Sequence, residues 1–234
     1  MHPAPEDPRI AAALERNERY VREFIEALTL CPYAKRTRED GMLRRTVLLE
    51  PGGAPQTPEF DAAAAALDGA IAAFEALPPG SIDVGLVILP ALAPALAHGI
   101  DGARAFEQLV AAARERMQGR HGSGDTPFYC VPFHPDFAED LRDEHRAVRF
   151  IRRSPDPTVQ VVRASVLRAV RGGSAPEYVD TSGLSAAELM AVSAPLSVSD
   201  RIGRANLRTL GTQGPERLRE LLARIRSHAR PPKG

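Results

Sequence analysis

The chain has 234 residues, 44% of them hydrophobic and 26% charged, and its 30 basic residues balance its 30 acidic ones. This length suits one sizeable hydrophobic core, so we expect a single domain over residues 8–228, between a lead at 1–7 and a tail at 229–234. A chain without net charge has no long-range field that would attract nucleic acid, and a dedicated nucleic-acid-binding role is therefore disfavoured.

The distribution of apolar residues argues against export and against a membrane span. The first thirty residues contain six acids and no continuous apolar run, which is unlike a signal or transit peptide. The longest apolar stretch, residues 84–97, contains glycine and proline and is too short to cross a bilayer. The two cysteines, Cys31 and Cys130, do not form a secretory framework. We therefore expect free thiols in a cytoplasmic protein with no membrane partner.

Helical and strand patterns alternate along the first part of the chain. Apolar residues recur at helical spacing in three segments, and short apolar runs bounded by proline or glycine lie between them. The predicted order is helix 8–29, strand 43–50, helix 58–77, strand 82–89, helix 103–118 and strand 128–133. Right-handed crossovers would place these strands parallel in one sheet. The prediction is an α/β or α+β fold with a single small mixed or mostly parallel sheet of three to five strands, packed with helices.

The remaining segments are predicted to be mostly helical. Residues 147–152 could add an edge strand to the sheet. Residues 154–171 resemble a helix, because Ser154 is a good N-cap, Pro155 suits the first turn and valines recur at 159, 162, 166 and 170. Residues 174–198 read as a loop with one short helix at 185–192. Two further helices are predicted at 199–209 and 215–228.

The strand at 128–133 leads into His134, which is held between prolines and followed by Asp136. Pro132 and Pro135 cannot continue a hydrogen-bonded ladder, so we expect His134 at the exit of the strand. Strand exits are where ligands bind in open α/β sheets, which makes His134 a candidate proton-transfer residue. The alternative is a histidine that makes one hydrogen bond in a rigid turn.

Cys31 is followed by a proline that can begin a new helical turn and place the thiol at its N-cap. Backbone N–H groups, the helix dipole and the charges of Lys35, Arg36 and Arg38 would favour the thiolate there, with a pKa below the usual value of about 8.5. Cys31 is therefore a candidate nucleophile or redox centre. The alternative is a small buried cysteine that ends the first helix, while Cys130 inside a strand is expected to be core.

Arg153 and Ser154 lie where we predict the start of a helix, a position suited to an anion. The alternative is that Arg153 pairs with an acid such as Asp136 and fastens the loop. Cys31, His134, Asp136 and His145 also have ligand chemistry for zinc or iron, but without the close spacing of known metal motifs. The sequence contains no phosphate-binding loop, dinucleotide fingerprint or hydrolase elbow. It names no cofactor, and the predicted site contains no metal.

Four motifs together resemble the DUF1415 family of uncharacterised bacterial proteins. They are Leu-Cys-Pro-Tyr-Ala-Lys at 30–35, Phe-His-Pro-Asp at 133–136, Arg-Ser-Pro at 153–155 with Arg163 in the segment that follows, and Arg-Ala-Asn at 204–206. The resemblance covers about residues 18–212 and implies a shared site. It adds Lys35, Asp136, Arg163 and Asn206 as binding candidates beside Arg153 and Ser154. The family has no established activity, and the chain departs from its pattern at Arg152, where asparagine is expected.

The leading hypothesis is a small-molecule enzyme with Cys31 as nucleophile, His134 as proton-transfer partner and Arg153 as holder of an anionic ligand. It predicts that these three residues converge on one cleft. A binding module that keeps the anion pocket without turnover and a Cys/His metal-site protein are the alternatives. The oligomeric state is left open.

Overall fold

A computed structural model describes residues 7–78, 80–122, 126–170 and 198–227. These residues form a mixed four-stranded sheet that is covered on both faces by helices. The strands are β1 (Leu43–Val47), β2 (Val84–Ile88), β3 (Phe128–Phe133) and β4 (Thr158–Arg163). The predicted α/β class with one small mixed sheet is therefore confirmed.

The strands lie in the order β1-β2-β4-β3. β1 and β2 are parallel, and β4 runs antiparallel to both β2 and β3. The first three strands thus share one direction, as the predicted crossovers require, and β4 is inserted between the second and the third. Pro132, which has no N–H to donate, is tolerated because β3 lies at an edge of the described sheet.

One face of the sheet is covered by α3 (Pro58–Glu75), the short α4 (Pro94–Ala97) and α5 (Gly99–His121). Their buried side chains pack with Val87, Val159 and Val161 of the sheet. The packing is close at Gly85 in β2, where a Cβ atom would lie 2.6 Å from the ring of Phe74. A side chain at that position would displace α3 from the sheet.

The other face is covered by α1 (Pro8–Arg19), its π-helical continuation (Tyr20–Glu26), α6 (Glu144–Ile151) and the C-terminal helices. Phe24 and Phe150 are fully buried there together with Leu210 and Ile225. The helices that complete the description are α2 (Ala34–Glu39), α7 (Ala164–Val170), α8 (Val198–Gln213) and α9 (Pro215–Ser227). Within the described residues, no helix combines the length and hydrophobicity that a membrane crossing requires.

Two predicted elements are wrong. Residues 154–171 do not form one helix, because β4 occupies 158–163 and only α7 is helical. The β-branched valines of this segment fill the sheet position between β2 and β3, and Pro155 and Pro157 remove N–H groups that a first helical turn would use. Residues 147–152 are not an edge strand, because 147–151 belong to α6 and Arg152 is its C-cap. The N-cap of α6, Asp143, accepts a hydrogen bond from the Arg146 N–H at 2.9 Å.

The other predicted helices and strands are confirmed, with ends displaced by a few residues. The predicted loop at 174–198 with its helix at 185–192 lies almost wholly outside the described residues. Residues 1–6 of the lead and the tail at 229–234 also lie outside them.

Candidate functional site

A cavity of about 150 Å³ lies between the sheet and the α1 layer. Its walls are mostly apolar, and the sheet and the π-helical segment supply Val21, Ile25, Leu43, Val84, Leu86 and Phe133. Its polar lining comes from Asn17, Cys31, Thr37, Ser154, Thr158 and Gln160. None of the described lining residues is Asp, Glu, Lys, Arg or His. The cavity therefore offers hydrogen bonds and one thiol, but no charge.

Cys31 lines this cavity on the turn that joins the π-helical segment to α2. The preceding residue is held in place, because the Leu30 carbonyl accepts a hydrogen bond from Asn206 Nδ2 at 2.9 Å. Cys31 is partly exposed and is not in a disulfide. Its carbonyl accepts from the Ala34 N–H at 3.3 Å, and α2 begins only at Ala34 with Tyr33 as N-cap. The predicted helix N-cap at Cys31 is therefore wrong, since Pro32 opens a turn and not the helix itself.

The arginines predicted to add positive charge beside the Cys31 thiol pair with acidic residues instead. Arg38 Nε lies 2.8 Å from Glu26 Oε1, and Arg36 Nε lies 3.2 Å from Asp40 Oδ2. Lys35 is exposed and does not line the cavity. A role for Lys35 in ligand binding stays a prediction, and the described lining of the cavity does not include it.

Ser154 and Thr158 use their hydroxyl hydrogens within the protein. Ser154 Oγ donates to the Asp156 carbonyl at 2.6 Å, and Thr158 Oγ1 donates to the same oxygen at 2.9 Å. The Asp156 carboxylate is held in turn by Arg16, through Nε at 2.9 Å and Nη2 at 2.8 Å. The two hydroxyls can therefore offer only oxygen lone pairs to a ligand.

Tyr20 is similarly committed, because its hydroxyl donates to the carbonyl of Ile151. Burial raises the pKa of this hydroxyl, so Tyr20 stays protonated at neutral pH. Gln160 and Thr37 remain as polar side chains of intermediate exposure on the lining.

His134 lies on the opposite side of the sheet from Cys31. Side chains alternate along β3, so Phe133 faces the cavity and His134 faces the α3–α5 layer. The imidazole is fully buried between the rings of Phe106 and Phe137, with ring centroids 5.7 and 5.9 Å away. The structure therefore does not bring His134 and Cys31 to one cleft.

Both ring nitrogens of His134 are engaged. Nε2 lies 3.0 Å from the carbonyl oxygen of Leu96, and Nδ1 accepts from the Asp136 N–H at 3.1 Å. A carbonyl can only accept and an amide N–H can only donate, so the proton is on Nε2 and the ring is neutral. Burial lowers the pKa of His134, with the bond to Leu96 as the largest opposing effect. The arrangement fastens the turn after β3 to α4.

Arg153 is brought to the same turn. Its Nε donates to the Pro135 carbonyl at 2.9 Å, and Nη1 pairs with Glu139. Arg219 binds the other oxygen of Glu139 at 2.6 Å, and Arg226 Nη2 reaches the Pro135 carbonyl at 3.2 Å. Burial, and then the charge of Arg226, lowers the pKa of Arg153. Arg153, Arg219 and Arg226 are called the arginine cluster below.

The other predicted binding residues make contacts within the fold. Asp136 Oδ2 accepts from the Gly99 N–H at 2.7 Å. Arg163 Nε donates to the Ile82 carbonyl at 2.9 Å, and its guanidinium lies 4.8 Å from the centre of the Phe128 ring. Asn206 supports the Cys31 turn as described above. Among the predicted site residues, only Cys31 and Ser154 line the cavity together.

Asn17 is a buried polar residue of the cavity that the motifs did not indicate. It is 2% exposed, and its Oδ1 accepts from Arg45 Nε at 2.8 Å. A sequence signal for it exists, because Ala13, Tyr20, Val21 and Phe24 recur at helical spacing on one buried face and Asn17 lies within that apolar stripe. A polar residue at such a position is a candidate for a role inside the protein.

The part of the chain that the structure describes contains no cluster of side chains that could form a metal site. No group of three or more His, Cys, Asp or Glu side chains there is arranged to hold a metal ion. Cys31 and His134, two of the predicted ligands, are separated by the sheet, and the side chain of His145 is outside the described set.

A family model described as "Protein of unknown function (DUF1415)" matches residues 12–192, which is more than half of the chain. The chain belongs to the DUF1415 family. The match includes Cys31, all of the cavity-lining residues, and His134 with Arg153. Asn206 lies beyond its end. No curated protein and no solved structure matches this DUF1415 chain.

Proposed function

We propose that this DUF1415 protein binds a small uncharged molecule in the cavity and that the Cys31 thiol acts on it as a nucleophile. The observation that carries the proposal is the combination of one thiol with a partly enclosed, mostly apolar wall. Pockets of this kind, with few polar groups among apolar side chains, are typical ligand sites.

The size and the lining of the cavity limit the ligand. A volume of about 150 Å³ is close to that of an engineered cavity that binds benzene, so the ligand has on the order of six to eight non-hydrogen atoms inside the cavity. An ionic ligand would be buried without a counter-charge among the described lining residues, which is costly. The anionic ligand expected from Arg153 therefore does not suit this cavity.

His134 takes no part in the proposed reaction of Cys31. A general base must lie within hydrogen-bond reach of the proton that it accepts, directly or through one water. His134 is on the other side of the sheet, and no described lining side chain is a base at neutral pH. We propose that the Cys31 thiol reacts without a side-chain base and that its proton passes to water.

Alkylation with two reagents of similar size tests the proposal. Iodoacetamide is uncharged and iodoacetate is an anion, and both react with the thiolate. The ratio of their rates at Cys31 should be at least about ten times higher in the folded protein than in urea, because the cavity disfavours charge. Mass spectrometry of peptides resolves Cys31 from Cys130, whose pKa burial raises to about 11.

A matched control places the thiol outside the cavity. In a Cys31→Ser background, Glu39→Cys puts a thiol at an exposed position of α2, and its rate ratio should equal the ratio in urea. If Cys31 in the folded protein also shows the urea ratio, the site is not an uncharged cavity. If Cys31 does not react at all in the fold, its role is structural.

The arginine cluster supports a second candidate function, binding of an anionic small molecule at the turn that follows β3. Three guanidiniums converge there on one carboxylate, Glu139, and one carbonyl, that of Pro135. Lysine cannot reproduce the planar fork of Arg153, so Arg153→Lys should weaken anion binding about tenfold or more. A thermal-shift panel of phosphate- and carboxylate-bearing metabolites measures this, and equal shifts for both proteins would make Arg153 a structural tie only.

A further inference from the structure

Asn17 has one end of its side chain bound and the other end without a partner. The residue is 2% exposed and lines the cavity. Its Oδ1 accepts a hydrogen bond from Arg45 Nε at 2.8 Å. Among the described residues, no atom accepts a hydrogen bond from Asn17 Nδ2. In the part of the chain that the structure describes, Nδ2 is not one of the fully buried side-chain atoms without a partner, so it reaches the open space of the cavity, where water or a ligand can accept its hydrogen bond.

The hydrogen bond to Arg45 determines the orientation of the Asn17 amide. Arginine has only donors, so the atom of Asn17 that faces Arg45 has to be the oxygen. Arg45 is paired by charge with Glu18, whose Oε2 lies 2.8 Å from Nη2, although this contact lacks hydrogen-bond geometry. Burial lowers the pKa of the Arg45 guanidinium, with Glu18 as the largest opposing influence. The amide nitrogen is thus the part of Asn17 that is left for the cavity.

We infer that Asn17 recognises the ligand by donating from Nδ2 to a carbonyl oxygen, so that the ligand class is a small uncharged carbonyl compound with an apolar body. This inference rests on the proposed cavity function and names its substrate class. The amide N–H donates to an acceptor, and a described lining without charged side chains favours a neutral one. Among neutral acceptors, a carbonyl group also has a carbon that a thiolate attacks, unlike an ether or an alcohol. The C–S bond forms as the C=O π bond breaks, and the oxygen takes up a proton from water.

The chain offers a direct reporter for this bond. Asn17 and Asn206 are its two asparagines, so ¹⁵N-asparagine labelling gives two pairs of side-chain N–H signals. Asn206 Nδ2 already donates to the Leu30 carbonyl and serves as an internal control. The probes are cyclopentanone and methylenecyclopentane, which have the same shape and six non-hydrogen atoms but differ in having C=O or C=CH₂.

The expected result is that cyclopentanone shifts the Asn17 side-chain N–H signals of the wild-type protein and that methylenecyclopentane shifts them much less. The Asn206 signals should not move with either probe. Binding of both probes is followed independently by saturation transfer to the ligand. If Asn17 responds equally to both probes, or to neither although both bind, the inference is wrong. If neither probe binds, the proposed cavity function itself fails.

Asn17→Asp supplies the second arm of the experiment. Aspartate keeps the oxygen that accepts from Arg45 and replaces the N–H donor by a second oxygen, so the contact with β1 is retained and the added negative charge is paired with the Arg45 guanidinium. The Kd of cyclopentanone should rise about tenfold or more, while that of methylenecyclopentane stays within about twofold. An equal loss for both probes would mean that the variant distorts the cavity and would count against Asn17 as the recognition residue. Should this variant not fold, the labelled wild-type protein alone decides the question.

Discussion

Lowering the pH from 7.5 to 5 should weaken the fold through His134. The ring has its proton on Nε2, toward the Leu96 carbonyl, and its Nδ1 accepts from the Asp136 N–H. Protonation of Nδ1 would place its N–H opposite the Asp136 N–H, so that two donors face each other in a fully buried site. Burial lowers the pKa of His134 in the folded protein, whereas the unfolded chain has the ordinary value of about 6.5.

The sign and the limit of the effect follow from proton linkage. At pH values below about 6.5 the unfolded chain binds a proton that the folded ring resists, so stability that is present above this pH is lost as the pH falls toward the folded pKa. The loss cannot exceed about 1.4 kcal/mol for each pH unit. For a ring that stays neutral in the fold throughout, the total between pH 7.5 and 5 is about 2 kcal/mol.

Urea unfolding followed by circular dichroism, at several pH values, measures the effect against His134→Gln. The glutamine amide can still donate to the Leu96 carbonyl but cannot titrate, and at pH 7.5 it should cost about 1–3 kcal/mol because the Asp136 N–H loses its acceptor. The difference in the free energy of unfolding between wild type and variant should decrease toward pH 5. Leu109→Ala, a fully buried apolar control, should show a gap that does not change with pH. A gap that widens as the pH falls would mean that the fold holds a charged His134.

Two further comparisons test the packing and the ion pairs by urea unfolding. Gly85→Ala should destabilise the protein by about 1–3 kcal/mol, because its Cβ would lie 2.6 Å from the Phe74 ring, whereas Gly119→Ala in α5 meets nothing within 4 Å and should stabilise by about 0.4–1 kcal/mol. Arg16→Met should cost about 2–4 kcal/mol, because it leaves a mostly buried carboxylate without both of its guanidinium bonds, while Arg104→Met in an exposed pair should cost less than about 0.5 kcal/mol. If the two variants of either comparison changed the free energy of unfolding equally, the difference in burial between the two sites could not be the cause of the change.

The fold was predictable where local pattern and stop signals agree. The three parallel strands and the helices between them follow from apolar periodicity interrupted by proline and glycine. β4 was not predictable in this way, because the valines at 159 and 162 fit a helical stripe as well as a strand. What decides between them is the position between β2 and β3, which is a long-range effect that no local pattern contains.

The candidate site was predictable only in part, for a geometric reason. The proline-bounded motifs drew attention to Cys31 and Ser154, which both line the cavity. They could not show that His134 points away from it, because consecutive residues of a strand face opposite sides of the sheet and the side depends on the register. Asn17 carries no motif, and its importance depends on Arg45, which lies 28 positions later in the chain.

The place of β4 has a consequence for how the chain folds as it is made. β4 is the last strand of the described sheet to be synthesised, yet it is the strand that joins β3 to β2. Until Thr158–Arg163 leave the ribosome, β1 and β2 can pair with each other while β3 has no partner strand in this sheet. Ser154 and Gln160 arrive with the same segment, so the cavity wall is completed only when the sheet closes. A chain cut short before β4 would therefore lack both the centre of its sheet and one side of its ligand site.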